Sequence, residues 1–202
     1  MERNKQDREE FKALVHTNFR PEQLVFADES YFNRFTTKRP YTWSRRGERA
    51  RRFEFSLCGT KYSILPAISL EGILHLEVTK DAITEDFFRQ FVQGLLPHMN
   101  KWPLPNSVLV IDNAKIHKVA GIRDMVEECG ARLLYLPSNS PDFNPIESAF
   151  PKIREWLHTN HDHVDQELEN GTARDVFLKG IRSVTAEHVK RWYKACGYNV
   201  LL

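Results

Sequence analysis

Val108-Leu-Val-Ile-Asp112-Asn-Ala-Lys-Ile-His117 opens, and Leu136-Pro-Ser-Asn-Ser-Pro-Asp-Phe-Asn-Pro-Ile-Glu147 closes, the stretch whose reading decides the fold. The continuous apolar run before Asp112 indicates a strand buried on both faces, hence a central place in a sheet. A helix is expected from about Lys118, with Val119, Ile122, Val126 and Cys129 facing inward and Gly130 as its stop. Arg132–Leu136 reads as the next strand. A Pro-rich turn then delivers Glu147 to the start of a helix with Ile146, Ala149, Phe150, Ile153, Trp156 and Leu157 on one stripe. Far upstream, Leu24-Val-Phe-Ala reads as another buried strand, ending in Asp28. Three carboxylates at one sheet edge can hold divalent metal, and metal between carboxylates suits phosphodiester cleavage.

Working outward, Lys61–Ser69 and Ile73–Thr79 read as a hairpin turned at Gly72, with Pro66 marking an edge or a bulge. Thr84 is placed to cap a helix whose Phe87, Phe88, Phe91, Val92, Leu95 and Leu96 form its apolar face, ended by Pro97. An N-terminal helix over residues 1–17, with Phe11, Leu14 and Val15 at helical spacing, and C-terminal helices over Ala173–Ser183 and Thr185–Ala195 are appendages. The polar segment from His158 to Val164 reads as a linker; its histidines lack the helical pairing of a zinc site. The fold class expected is α/β, a mixed sheet flanked by helices. The organisation expected is a helical segment over 1–22, a catalytic domain over 23–158 and a helical tail over 159–202.

With 202 residues, 41% hydrophobic and 28% charged, the chain reads as globular with a real core. No apolar run approaches the roughly 20 residues of a membrane span, so no membrane partner is expected. Three scattered cysteines, with no Cys-x-x-Cys, argue against a disulfide framework or a thiolate zinc site. Net charge is +2, but Arg34–Arg52 carries eight basic residues against Glu48 alone. Tyr41-Thr-Trp-Ser and Phe53-Glu-Phe-Ser-Leu read as short strands of a hairpin around Arg45-Arg-Gly47. A basic stripe interleaved with Phe35, Tyr41 and Trp43 suits a polyanionic backbone or a partner subunit, and equally a solvated loop. Arg45, Arg46, Arg49, Arg51 and Arg52 are the candidate contacts.

Each acid has a bland alternative. Asp28 alone would serve a turn. Glu147, with Asn144 as cap and Pro145 as first helical residue, stands where a capping-box glutamate reaches back to the cap. Asn113 and His117 are placed to support a ligand carboxylate or touch DNA, while His117 is equally a helix-start residue. Pro151, inside the helix that carries Glu147, is expected to kink or restart it one turn later and so to threaten the placing of the third carboxylate.

Phe26-Ala-Asp28-Glu-Ser30, Val110-Ile-Asp112-Asn-Ala-Lys-Ile-His117 and Leu136–Glu147 together resemble the three catalytic blocks of the Tc1/mariner superfamily of DDE transposases. The 34 residues between Asp112 and Glu147 match the spacing of the Tc1-like branch. Val184–Tyr198 resembles the tail of eukaryotic, notably fungal, members. The resemblance implies an RNase H-like fold and an acid triad of Asp28, Asp112 and Glu147. It implies Mg²⁺ as cofactor, with Mn²⁺ substituting, double-stranded DNA as substrate, hydrolysis at transposon ends and attack of the freed 3′-hydroxyl on target DNA. It further implies a nuclear location and a homodimer in which the insertion over 34–52 reaches the partner. Full-length relatives carry N-terminal helix-turn-helix modules, and this chain begins just before the catalytic domain, so an alternative expectation is a decayed or domesticated DNA-binding remnant. Another RNase H-like nuclease, preferring RNA–DNA hybrid, is a third reading.

Overall fold

The computed structural model describes residues 4–33, 46–47, 61–114, 117, 121–160, 164 and 173–200. The expectations for the basic insertion and its flanking hairpin lie outside them, apart from an exposed turn at Arg46–Gly47. So do those for Val119 and for His161–His163.

Among the described residues, six strands form one mixed sheet: β1 (Leu24–Ala27), β2 (Ser30–Asn33), β3 (Lys61–Ser69), β4 (Gly72–Thr79), β5 (Val108–Ile111) and β6 (Arg132–Tyr135). β3 pairs antiparallel with β4 on one side and with β2 and β1, end to end, on the other. β1, β5 and β6 then run parallel. The parallel strands are as apolar as double-sided burial demands, with all of β1 and β5 buried. The hairpin turns at Gly72, whose φ of +119° is a left-handed-side conformation natural to glycine.

Pro66 does not lie at an edge, because β3 is paired on both sides. A bulge does occur beside it, between Ala67 and Ile68. The register that joins Ala27 to Ala67 and Ser30 to Ile64 sets Asp28 opposite Pro66. Proline has no N–H for the ladder. The break between β1 and β2 thus falls at Asp28 and Glu29, leaving that pair free of regular sheet.

Helices cover both faces. On one face lie α2 (Glu85–Leu95) and α3 (Ile122–Glu128). Thr84 caps α2 by accepting from the Phe87 N–H, and Phe88, Phe91, Val92 and Leu95 pack onto Val25, Leu109 and Ile111. α3 buries Ile122 and Val126 but leaves Cys129 exposed, contrary to the expected stripe. It is only two turns long, and Cys129 has already passed to its solvent side. Gly130 ends it at φ +82°.

On the other face lie α1 (Lys5–Asn18), α4 (Ala149–Thr159), α5 (Ala173–Arg182) and α6 (Ala186–Ala195). Phe11 and Val15 fix α1, while Leu14 stays 44% exposed, since a lone helix on a surface buries only a narrow stripe. Tyr193 of α6 is fully buried against Phe26 and donates its hydroxyl to the Leu24 carbonyl at 2.9 Å. α4 runs through His158 and Thr159, so those residues are helix and not linker.

Glu147 rides a 3-10 turn, Pro145–Ser148, and the α-helix begins at Ala149. The restart expected from Pro151 therefore comes two residues after Glu147. Pro151 becomes the third residue of α4, where an N–H would have no partner within the helix and its loss costs little.

Candidate active site

The parallel run of β1, β5 and β6 brings their carboxyl ends to one edge, the place where open α/β sheets bind ligands. Pairing Phe26 with Val110 and continuing two residues sets Asp28 level with Asp112 on the neighbouring strand. β6 leads at the same edge into the loop that carries Asn144 and Glu147. Asp28, Asp112 and Glu147 all line one open cleft of about 380 Å³, with Asn113, Ser138, Ser140 and Asn144 among its other walls.

Asp28 is buried. One carboxylate oxygen accepts from the Glu29 N–H at 2.8 Å and the other from the Asn144 side-chain amide at 2.8 Å. Burial raises its pKa, as do the charges of Glu29, Asp112 and Glu147, against a lowering from the Glu29 N–H, and the result is about 8. Asp112 is more open. Burial raises it, but hydrogen bonds from His117 and from the Ala114 N–H, at 3.0 Å, bring it below the ordinary carboxylate value. Glu147, exposed at the cleft rim, is raised by burial of its carboxyl and by Asp112 and Glu29, with Arg154 opposing.

His117 is 0% exposed. Its Nδ1 donates to Asp112 Oδ1, and its ring lies on Phe88 with centroids 4.3 Å apart. Its Nε2 stands 3.0 Å from Glu29 Oε2, an ion contact without the alignment of a hydrogen bond. Burial lowers the imidazole pKa, yet Asp112 and Glu29 more than offset it and hold it at about 9. His117 is therefore a cation bridging two acids from beneath. Asn113 faces elsewhere: its amide donates to Ser138 Oγ at 3.0 Å, stitching the end of β5 to the loop after β6.

Glu147 is not the reaching arm of a capping box. The Asn144 N–H donates to the Pro141 carbonyl, and the turn is capped by Asn144 Oδ1 accepting from Ile146. The Glu147 carboxyl is left to the cleft. Sequence reasoning placed the three acids but missed Glu29 and the amide of Asn144 as their neighbours. Both stand next to or within the quoted blocks, so adjacency was the available signal.

The oxygen-rich donor set fits a hard divalent cation; burial first, and then the neighbouring acids, raise both Asp28 and Glu147, and a cation in the cleft would offset that gathered negative charge. Among the described residues, no three His, Cys, Asp or Glu side chains stand close enough to hold one ion as they are. Asp28 is hydrogen-bonded to Asn144 and Asp112 to His117. Asp28, Asp112 and Glu147 would be the residues to hold it.

A mixed sheet with acids at the carboxyl edge of its parallel strands defines an RNase H-like nuclease fold. The chain belongs to the DDE superfamily endonuclease family, whose profile it matches over residues 23–168. No curated protein sequence matches it. Among solved structures it is similar to the Mos1 transposase paired-end complex with left transposon end, at a TM-score of 0.61 and 18% identity, covering 98% of this chain and 65% of that one. It is similar also to the Mos1 transposase catalytic domain with raltegravir and Mg, at 0.57 and 16%, with all of both chains covered. The crystal structure of the Mos1 mariner catalytic domain alone gives 0.56 and 15%, covering 100% of this chain and 98% of that one. The fold is thus that of a mariner-type DDE catalytic domain, and the chain spans about two thirds of the chain in the DNA complex. No helix among the described residues is long and apolar enough to cross a membrane.

Proposed function

We propose that the chain is the catalytic domain of a DNA transposase, a divalent-metal endonuclease and strand-transferase acting on double-stranded transposon ends in the nucleus, as a homodimer. The observation that carries this reading is the single cleft lined by Asp28, Asp112 and Glu147. The complexes of Mos1 with transposon-end DNA, and its forms with Mg and Mn, support the substrate and the cofactor by analogy.

Mg²⁺ or Mn²⁺ bound by the acids supplies Lewis-acid stabilisation of the attacking and leaving oxygens of a phosphodiester. The protein does the rest by position. Asp28 and Asp112 come from adjacent strands and present oxygens at one level. Glu147 approaches on a short turn capped by Asn144. His117 holds Asp112 Oδ1 and so fixes the carboxylate plane. The open cleft admits a backbone phosphate; hydrolysis there releases a 3′-hydroxyl, which then attacks a target phosphodiester, forming the new P–O bond as the bond to the target's own 3′-oxygen breaks and that oxygen leaves as a hydroxyl. Arg45, Arg46, Arg49, Arg51 and Arg52 bind DNA or the partner subunit.

The wide setting of the acids favours a second reading, a non-catalytic DNA-binding remnant. Plasmid nicking with Mn²⁺ or Mg²⁺, wild type beside Asp112→Asn, decides between them. The expected result is metal-dependent nicking in the wild type, lowered at least 100-fold in the variant, as expected when a group stabilising transition-state charge is lost. No nicking by a folded wild type, with duplex binding retained, would establish the remnant.

A further inference from the structure

Asn144 does two jobs with one side chain. Its Oδ1 accepts from the Ile146 N–H at 3.4 Å and caps the turn that carries Glu147. Its Nδ2 donates to Asp28 Oδ2 at 2.8 Å, across 116 residues of sequence. Its backbone is equally engaged, donating to the Pro141 carbonyl at 2.9 Å and accepting from the Glu147 N–H at 3.2 Å. The residue is 2% exposed, so no water completes these contacts cheaply. Serine, threonine or aspartate would cap the turn as well. Among the strong caps only asparagine offers an acceptor to the turn and an N–H to a carboxylate together.

The partner it serves explains the choice of a neutral donor. Asp28 stands in the field of Glu29, Asp112 and Glu147. A lysine or arginine at position 144 would neutralise Asp28 but repel any cation entering the cleft. An amide orients the carboxylate and adds no charge. With the Glu29 N–H on Oδ1 and the Asn144 amide on Oδ2, one donor among the described residues meets each oxygen of Asp28, and a carboxylate oxygen has a second lone pair to offer. Neighbours of this kind, hydrogen-bonded to a ligand carboxylate, are worth ten- to a hundredfold in metal affinity where they have been removed.

We infer that Asn144 is the positioning residue of the cleft, tying the first acid, Asp28, to the turn of the third, Glu147, so that the two can share one divalent cation. The inference rests on the metal-site reading given above.

The test is Mn²⁺ binding to the DNA-free chain by calorimetry, with thermal unfolding in parallel, for wild type, Asn144→Ser, Asp28→Ala and the double variant. Serine keeps the cap and loses the amide. The expected result is a melting temperature close to wild type and Mn²⁺ affinity about tenfold lower. In the Asp28→Ala background the serine has no further effect. Equal Mn²⁺ affinity in wild type and Asn144→Ser, or the same loss with and without Asp28, overturns the role of Asn144 alone. A wild type that takes up no Mn²⁺ overturns the metal site and the role together. A measurement on the unaltered residue guards against a misfolded variant. The Asn144 side-chain amide signals in a ¹H–¹⁵N spectrum are expected to be shifted and slow to exchange in wild type and to move on Asp28→Ala. Signals unmoved by that change also sink the inference.

Discussion

The two walls of the cleft are built by different physics. On one, Asp112 is held by a buried imidazolium that rests on Phe88 of α2 and also faces Glu29. On the other, Asp28 is held by a neutral amide on a loop pinned from the opposite face of the sheet. Arg8 of α1 grips that loop, donating to both carboxylate oxygens of Asp142 and to Ser140 Oγ, with its guanidinium 4.2 Å over the Phe143 ring. Phe11 stacks on Phe143 at 5.7 Å, and the Tyr198 hydroxyl donates to the Phe143 carbonyl at 2.7 Å. Hydrogen bonds from His117 and the Ala114 N–H outweigh burial and lower Asp112, whereas burial and the charges of Glu29, Asp112 and Glu147 raise Asp28 to about 8. The difference teaches that charge compensation and orientation are divided between the walls, each drawing on its own helical layer.

Breaking the charged wall should have the largest effect on stability. His117→Leu keeps an apolar contact for Phe88 but leaves Asp112 and Glu29 facing each other without a cation. Removing one partner of a buried ion pair costs about 3 kcal/mol or more. Asp112 has a side chain 42% exposed, so water recovers part of that, and about 2–3 kcal/mol by urea unfolding is expected. A loss under about 1 kcal/mol would mean that the ion contacts are not what holds this wall.

Breaking the neutral wall should cost less. Tyr198→Phe removes a buried hydroxyl and strands the Phe143 carbonyl, worth about 1–2 kcal/mol. The loop is still held by Arg8 and Phe11, so the Asp28–Asn144 contact should survive. A Tyr198→Phe variant as unstable as His117→Leu would erase the distinction between the walls.

The acids were legible because strand ends are. An apolar run that stops at a carboxylate singles out Asp28 and Asp112, but a turn role for Asp28 and a cap role for Glu147 are set aside only by the three blocks taken together and the family they resemble. Their supports were not legible. Asn144 meets Asp28 only because β1 and β5 pair in the register that sets residues 28 and 112 level. His117 meets Glu29 only because Pro66 interrupts the ladder beside Asp28. Of the two places proline is expected in a strand, edge or bulge, Pro66 takes the second, with the bulge between Ala67 and Ile68 on a strand paired on both sides. Cys129 and Leu14 misled because periodicity assigns a stripe without knowing how wide the buried stripe is.

A second, partly buried histidine on the α2 face supplies the finest contrast with His117. His75 of β4 packs on Phe91 with centroids 5.4 Å apart, and a Cβ at Gly94 would come within 2.8 Å of its Nε2, so a larger residue there would displace the ring. Its Nε2 lies 3.3 Å from Glu77 without an aligned hydrogen bond. Burial lowers its pKa; Glu77 opposes this, while His98 and Arg174 add to it. A histidine held neutral by the fold takes up protons more readily when unfolded. Its contribution is therefore full above the unfolded value of about 6.5 and is lost as pH falls below it. His117, raised to about 9, has the opposite sign, with support present below about 6.5 and lost as pH rises through 9. The two slopes partly cancel in the wild type, so the difference between wild type and His75→Gln is the quantity to measure. Urea unfolding at pH 7.5 and 5.5 should show wild type losing more stability on acidification than His75→Gln does, the smallest effect of the three. A variant that loses as much as wild type would show that His75 takes its proton as easily folded as unfolded, and that Glu77 then does for His75 what Glu29 and Asp112 do for His117.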